Sequence, residues 1–182
     1  KNTNNTQSKP DTIKRAAKLI SNSSKGIIIV GGGIKYTSGF KPVIELAEYL
    51  NVPIVTAAGH GDAIPFNHKL NAGQMGPRGN PVATKLTKEA DIILAIGTRL
   101  GFNSTFYSFE NINKKAKIIQ VELEKKMLGK YFPIKIGINA DAATTANQLL
   151  REFKKQKIKS EVKIWTEKFK NERSNYLFQR NN

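Results

Sequence analysis

Three consecutive glycines, Gly31-Gly32-Gly33, follow the run Ile27-Ile28-Ile29-Val30, and here the chain is best equipped to hold a ligand. Glycine after a buried strand lets the backbone turn sharply and brings N–H groups close to whatever binds. Gly97 ends the run Ile92-Ile93-Leu94-Ala95-Ile96 in the same way, and Arg99 follows it. Arg78 stands between Gly76-Pro77 and Gly79. Both arginines can hold phosphate bidentately, and both can equally form a surface ion pair. Glu122 and Glu124 alternate beyond a third apolar run, where one could accept from a ribose or ring donor. His60 and His68 share a Gly/Pro-rich connection without an HExxH pattern or further ligands nearby, so both are read as bonding loop backbone rather than a metal. Glu89 and Asp91, beside a strand start, are read as boundary residues.

Two common nucleotide signatures are missing. In a dinucleotide fingerprint the glycines would fall at Gly31, Gly33 and position 36, but position 36 is Tyr36. No acidic residue follows the next strand to hold a ribose, which disfavours a simple NAD dehydrogenase. A GxxxxGK[ST] phosphate loop is absent as well. With no cysteine, the chain has no disulfide framework, thiolate metal site or cysteine nucleophile. No Ser/His/Asp set stands out. The residues therefore name no catalytic group and no metal ligand.

The elements that must position these residues alternate along the chain. Pro10 and Asp11 suit a helix start, with Ile13, Ala16, Ala17 and Ile20 on one face. The strand ending at Val30 follows, then a helix carrying Val43, Ile44, Leu46, Ala47 and Leu50, then the strand Val52-Pro53-Ile54-Val55-Thr56. A long punctuated connection follows, with a short strand near Leu70–Ala72. Asn80-Pro81 opens a helix bearing Val82, Ala83, Leu86 and Ala90. Strands then fall at 91–96, 117–122 and 134–138. Asp141 caps a helix bearing Ala142, Ala146, Leu149, Leu150 and Phe153. Strands that are continuous apolar runs rather than alternating ones belong in a parallel sheet covered on both faces. The expected fold is thus α/β, a Rossmann-like doubly wound parallel sheet of about six strands with helices on both faces. Ligands of such sheets sit at the carboxyl ends of the strands.

Residues 1–9 are expected to be disordered, residues 10–153 to form the domain, and residues 154–182 to be an appendage. That appendage reads as a charged linker and a short amphipathic helix (Val162, Trp165, Phe169) with no obvious core to bury against. The start lacks an initiator Met and a secretory apolar core, and reads as part of a longer chain. No run approaches the ~20 apolar residues of a membrane helix. The chain has 182 residues and a net charge of +16. Residues 31–110 carry seven Lys/Arg against six Asp/Glu, whereas residues 111–182 carry seventeen against seven. The excess lies away from the glycine turns and reads as solvated Lys-rich helix faces. A nucleic-acid binder, which would show a steep salt dependence, is thereby disfavoured.

The order of motifs is more specific than any one of them. GGGI after a strand, VPIVTAAG, AIPFNHKLNAGQMGPRGNP, EADIILAIGTRL, AKIIQVELEKKMLGK and GINADA together resemble the central domain of thiamine-diphosphate-dependent enzymes. The likeness runs from about Ala16 to Leu150. Within that family, GTRLGFNSTFYSF and the late WTEKFKNER resemble the sulfoacetaldehyde acetyltransferases, which form acetyl phosphate and sulfite. Acetolactate synthases typically carry DDR where Gly101-Phe102-Asn103 stand here, which also weakens the case for FAD. The resemblance implies a parent enzyme using thiamine diphosphate and Mg2+ at sites outside this chain, flanking pyrimidine- and diphosphate-binding domains as partners, and a cytoplasmic homodimer or homotetramer. The chain alone should be inactive. By position, FAD or ADP would touch Gly31, Gly32, Gly33, Thr56, Gly76, Arg78, Gly97, Arg99, Glu122 and Asp141. The alternatives are an acetolactate synthase-type or other thiamine-diphosphate lyase or decarboxylase as the parent enzyme, an empty site, and a free-standing nucleotide-binding module.

Overall fold

The computed structural model describes residues 7–36, 38–158 and 163–181. Along the chain run α1 (Pro10–Ser21), β1 (Gly26–Val30), α2 (Gly33–Tyr36), α3 (Phe40–Leu50), β2 (Ile54–Thr56), β3 (Asn71–Gln74), α4 (Pro81–Glu89), β4 (Ile92–Ile96), α5 (Phe102–Thr105), β5 (Lys117–Val121), β6 (Ile136–Ile138), α6 (Ala142–Lys155) and α7 (Lys163–Asn181). The six strands form one sheet in the order β3-β2-β1-β4-β5-β6, and every pairing is parallel. This is the doubly wound arrangement the apolar runs predicted.

All five residues of β1 and all five of β4 are buried. No alternation survives in them because helices cover both faces. On one side α1 and α3 both pack against α6, and elsewhere α4 meets α7. Helix boundaries follow local chemistry. Pro10 stands in the first turn of α1. The Asn80 side chain caps α4 by accepting from Val82 N–H, and Asp141 caps α6 by accepting from Thr144 N–H. Asp91 ties the start of β4 to the loop before β1, accepting from Ser24 and Lys25.

Several boundaries depart from expectation. The strand near Leu70–Ala72 is Asn71–Gln74, and the last strand starts at Ile136. Lys154 and Lys155 belong to the last turn of α6 rather than to a linker, where positive charge suits the helix dipole. Residues 1–6, expected to be disordered, lie outside the described residues, as does Val162. Ser8 is not loose: its N–H donates to Gln148 Oε1 at 3.1 Å and its carbonyl accepts from Gln148 Nε2 at 3.0 Å.

The main correction concerns α7. It is neither short nor without a core: it spans 19 residues, and Trp165 and Phe169 are 6% and 1% exposed within the main hydrophobic cluster. Trp165 Nε1–H donates to the carbonyl of Gly26, the first residue of β1, at 3.2 Å. Thr166 Oγ1–H donates to the Asn51 carbonyl just before β2. Lys85 of α4 pairs with Glu172 at 2.7 Å. The helix therefore closes the end of the sheet where β1 and β2 begin. Its face could not be matched to a partner in the sequence because that partner is assembled from three distant segments.

Candidate nucleotide cleft at the strand switch point

The chain leaves β1 toward β2 on one side and β4 toward β5 on the other, so the loops after β1 and β4 diverge. A cleft of about 640 Å³ opens at this point, its walls including Gly32, Gly33, His60, Gly97, Arg99 and Glu122. That volume lies in the range of ligand-sized clefts, roughly 300–1,000 Å³, and the position is where such sheets bind ligands. Register explains the meeting of the two turns. Val30 is paired with Ile96, so the residues after each strand are side by side.

The turn amides are not free in the way the sequence suggested. Gly31 N–H donates to Ile96 O at 3.2 Å, and Gly33 N–H to Gly97 O at 2.9 Å. A Cβ at Gly31 would fall 2.6 Å from Gly97 O, and one at Gly33 would fall 2.6 Å from Gly97 Cα. Two of the three glycines are thus required by backbone packing between β1 and β4. Gly97 has φ +60°, a left-handed conformation that favours glycine.

Arg99 forms an ion pair with Glu124 at 3.0 Å, while Lys126 Nζ holds the other oxygen of Glu124 at 2.7 Å. The Lys126 hydrogen bond, with the charges of Lys126, Arg99 and Lys130, keeps the Glu124 carboxyl below the usual glutamate range. Arg99 can therefore turn toward a ligand phosphate and leave Glu124 ionised and still paired. Glu122 lies on the cleft wall, where its carboxylate can accept from hydroxyl or amino donors.

A strained segment borders the cleft. Leu100, Phe106 and Tyr107 have φ of 51°, 50° and 54°, and non-glycine residues in this region cost on the order of 1 kcal/mol or more each. The strain presents aromatic rings to solvent: Phe102 is 53% exposed and lies 4.9 Å from Phe106 and 5.6 Å from Tyr107, centroid to centroid. Tyr107 stacks on Tyr131 at 4.4 Å. The close approach of the two phenols raises the Tyr107 pKa and lowers that of Tyr131.

Of the ten positions read from the sequence, Gly32, Gly33, Gly97, Arg99 and Glu122 line this cleft. Gly76 and Arg78 line a neighbouring cavity of about 350 Å³, which shares Ala58 and Asn103 with the first. The remaining three stand elsewhere. Gly31 is packed against Gly97 and Thr98. Thr56 is fully buried at the end of β2 with its Oγ1 unpartnered. Asp141 is buried, its Oδ1 accepting from Thr144 N–H at 2.7 Å.

The histidines divide. His68 bonds the loop as expected, accepting from Leu70 N–H through Nδ1 at 3.3 Å, with Glu48 at Nε2. His60 departs from that reading. Its ring lines the cleft, and its Nδ1 is buried without a hydrogen-bond partner. The signal for His60 was its place in the loop after β2, since loops leaving strand ends on either side of a switch point face the same crevice.

The family described as thiamine pyrophosphate enzyme, central domain, matches residues 13–149. A sulfoacetaldehyde acetyltransferase of Roseovarius nubinhibens is 35% identical over 145 residues, covering 79% of this chain and 24% of the relative. That of Castellaniella defragrans is 35% identical over 149 residues, or 81% and 25%. A probable acetolactate synthase large subunit of Methanocaldococcus jannaschii is 30% identical over 159 residues, or 87% and 27%. The chain thus spans about a quarter of the length of these relatives. With the strand order and the switch-point cleft, these matches establish that the chain belongs to the central-domain family of thiamine pyrophosphate enzymes.

Proposed function

We propose that this chain is the middle domain of a sulfoacetaldehyde acetyltransferase and that its cleft binds the ADP portion of a nucleotide, ADP itself or FAD. The observation that carries the nucleotide reading is the grouping of Arg99, Glu122 and the glycine turns around one cleft at the switch point. Arg99 would hold phosphate, Glu122 would accept from ribose or adenine donors, and Phe102 would offer an exposed ring for stacking. The residues fit such a group. They do not fit a metal-anchored diphosphate: among the described residues no three His, Asp or Glu side chains gather where they could hold a cation. By the family likeness, thiamine diphosphate and Mg2+ belong to flanking pyrimidine- and diphosphate-binding domains, where that cofactor would supply the two-carbon transfer chemistry. This domain then joins those domains and fixes their spacing in a cytoplasmic homodimer or homotetramer, and by itself turns over no substrate.

Isothermal titration of the chain with ADP and with FAD tests the nucleotide reading. One-to-one binding that weakens in Arg99→Ala is expected; a folded chain that binds neither overturns it. For the parent enzyme, sulfite release from sulfoacetaldehyde and phosphate by the full-length protein is the expected result. Acetolactate formation from pyruvate instead would favour the synthase reading, which the 30% identity to the Methanocaldococcus relative keeps open.

A further inference from the structure

The middle glycine of the turn differs from its neighbours. The three atoms nearest a Cβ at Gly32 would all belong to the His60 ring, Cε1 at 2.7 Å, Nε2 at 3.1 Å and Nδ1 at 3.3 Å. The missing side chain at position 32 makes room for an imidazole. The loop that delivers His60 is fixed on several sides. His60 N–H donates to Ala57 O and Ala63 N–H to His60 O, both at 3.0 Å. Ala58 N–H donates to Ser104 Oγ at 2.9 Å and Gly59 N–H to Gln74 Oε1 at 3.0 Å. Asp62, two residues on, is held by Lys35.

The protonation pattern of the ring follows from its surroundings. Nδ1 is buried with no partner. A proton there would be a buried donor without an acceptor, the costly case, while a bare ring nitrogen loses less. The proton of the neutral ring therefore belongs on Nε2. That nitrogen is not among the buried unpartnered atoms, and the ring lines the cleft. Meanwhile the N–H groups of Gly31 and Gly33, the usual anion donors of such a turn, already bond Ile96 and Gly97.

We infer that His60, seated on Gly32, is a specificity-determining residue of the cleft: its Nε2–H donates to a phosphate oxygen of a bound nucleoside diphosphate. It takes over a role the Gly31 and Gly33 amides cannot fill, beside Arg99. The inference rests on the nucleotide reading above and adds to it a second anion donor and a reason for Gly32.

The test is titration of ADP into the wild type, His60→Leu, His60→Gln and Gly32→Ala, with 15N NMR of the His60 ring. His60→Leu should weaken ADP binding about tenfold, the loss of one charge-assisted hydrogen bond. His60→Gln, whose amide N–H can reach the same place, should stay within about threefold of wild type. Gly32→Ala presses on a movable ring rather than on backbone, so it should fold and weaken ADP like His60→Leu, with no further loss when the two are combined. The free ring should show the Nε2–H tautomer. Unchanged binding by His60→Leu, or equal loss in His60→Gln and His60→Leu, overturns the assignment and leaves the nucleotide reading standing. A wild type that binds no ADP overturns the nucleotide reading and this inference with it.

Discussion

The two ends of the sheet have opposite fates. Where β1 and β2 begin, α7 lays Trp165 and Phe169 into the core and bonds the carbonyls of Gly26 and Asn51. Where β1 and β4 end, the loops diverge, a cleft remains, and Phe102, Phe106 and Tyr107 stand about half exposed. One end is completed by apolar burial and backbone hydrogen bonds. The other keeps its polar groups, its strained residues and its aromatic surface turned outward. A doubly wound sheet needs the first end for stability and leaves the second for binding.

Five substitutions would break or sharpen this contrast. Phe169→Ala, at a position 1% exposed, should cost about 3–5 kcal/mol in urea unfolding, whereas Phe102→Ala at the open end should cost less than about 1 kcal/mol. Equal costs would mean that the two ends are not distinct in kind. Next in size is Gly33→Ala, whose Cβ would press on the Gly97 backbone. It should lose about 2–3 kcal/mol, and a midpoint equal to wild type would show that the two turns are not tightly joined. Arg99→Ala should leave that midpoint nearly unchanged, because a half-exposed pair with Glu124 contributes little to folding. It should nevertheless weaken ADP binding by about tenfold.

The smallest effect is electrostatic. Asp62 titrates below the usual aspartate range because Lys35 hydrogen-bonds its carboxylate. Being lowered in the folded state, the group adds stability above the ordinary aspartate pKa and loses it as the pH falls through the lowered value. Lys35→Met should raise the Asp62 pKa in an NMR titration, with the change confined to acid pH. An unmoved Asp62 would show that this pair does not steady the loop carrying His60.

Local chemistry and periodicity made most of the fold legible. Asn80, Asp141 and Pro10 mark helix starts by bonding or geometry within a few residues of themselves. The apolar runs at β1 and β4 needed only their own composition to declare burial on both faces. The cleft was legible in outline for the same reason, since Gly32, Gly33, Gly97, Arg99 and Glu122 all follow strand ends.

What the sequence could not decide was how each residue is used by its neighbours. The three glycines read alike, yet Gly31 and Gly33 answer to the Gly97 backbone and Gly32 to an imidazole 28 positions away in the chain. His60 and His68 share one connection, yet one bonds backbone and the other faces the cleft. Trp165 and Phe169 announced an apolar face, but the surface that receives it exists only once β1, β2 and α4 are assembled. Secondary structure and the residues that follow each strand end are set by interactions a few residues long. The roles of individual side chains depend on contacts between distant segments, and those only the folded chain supplies.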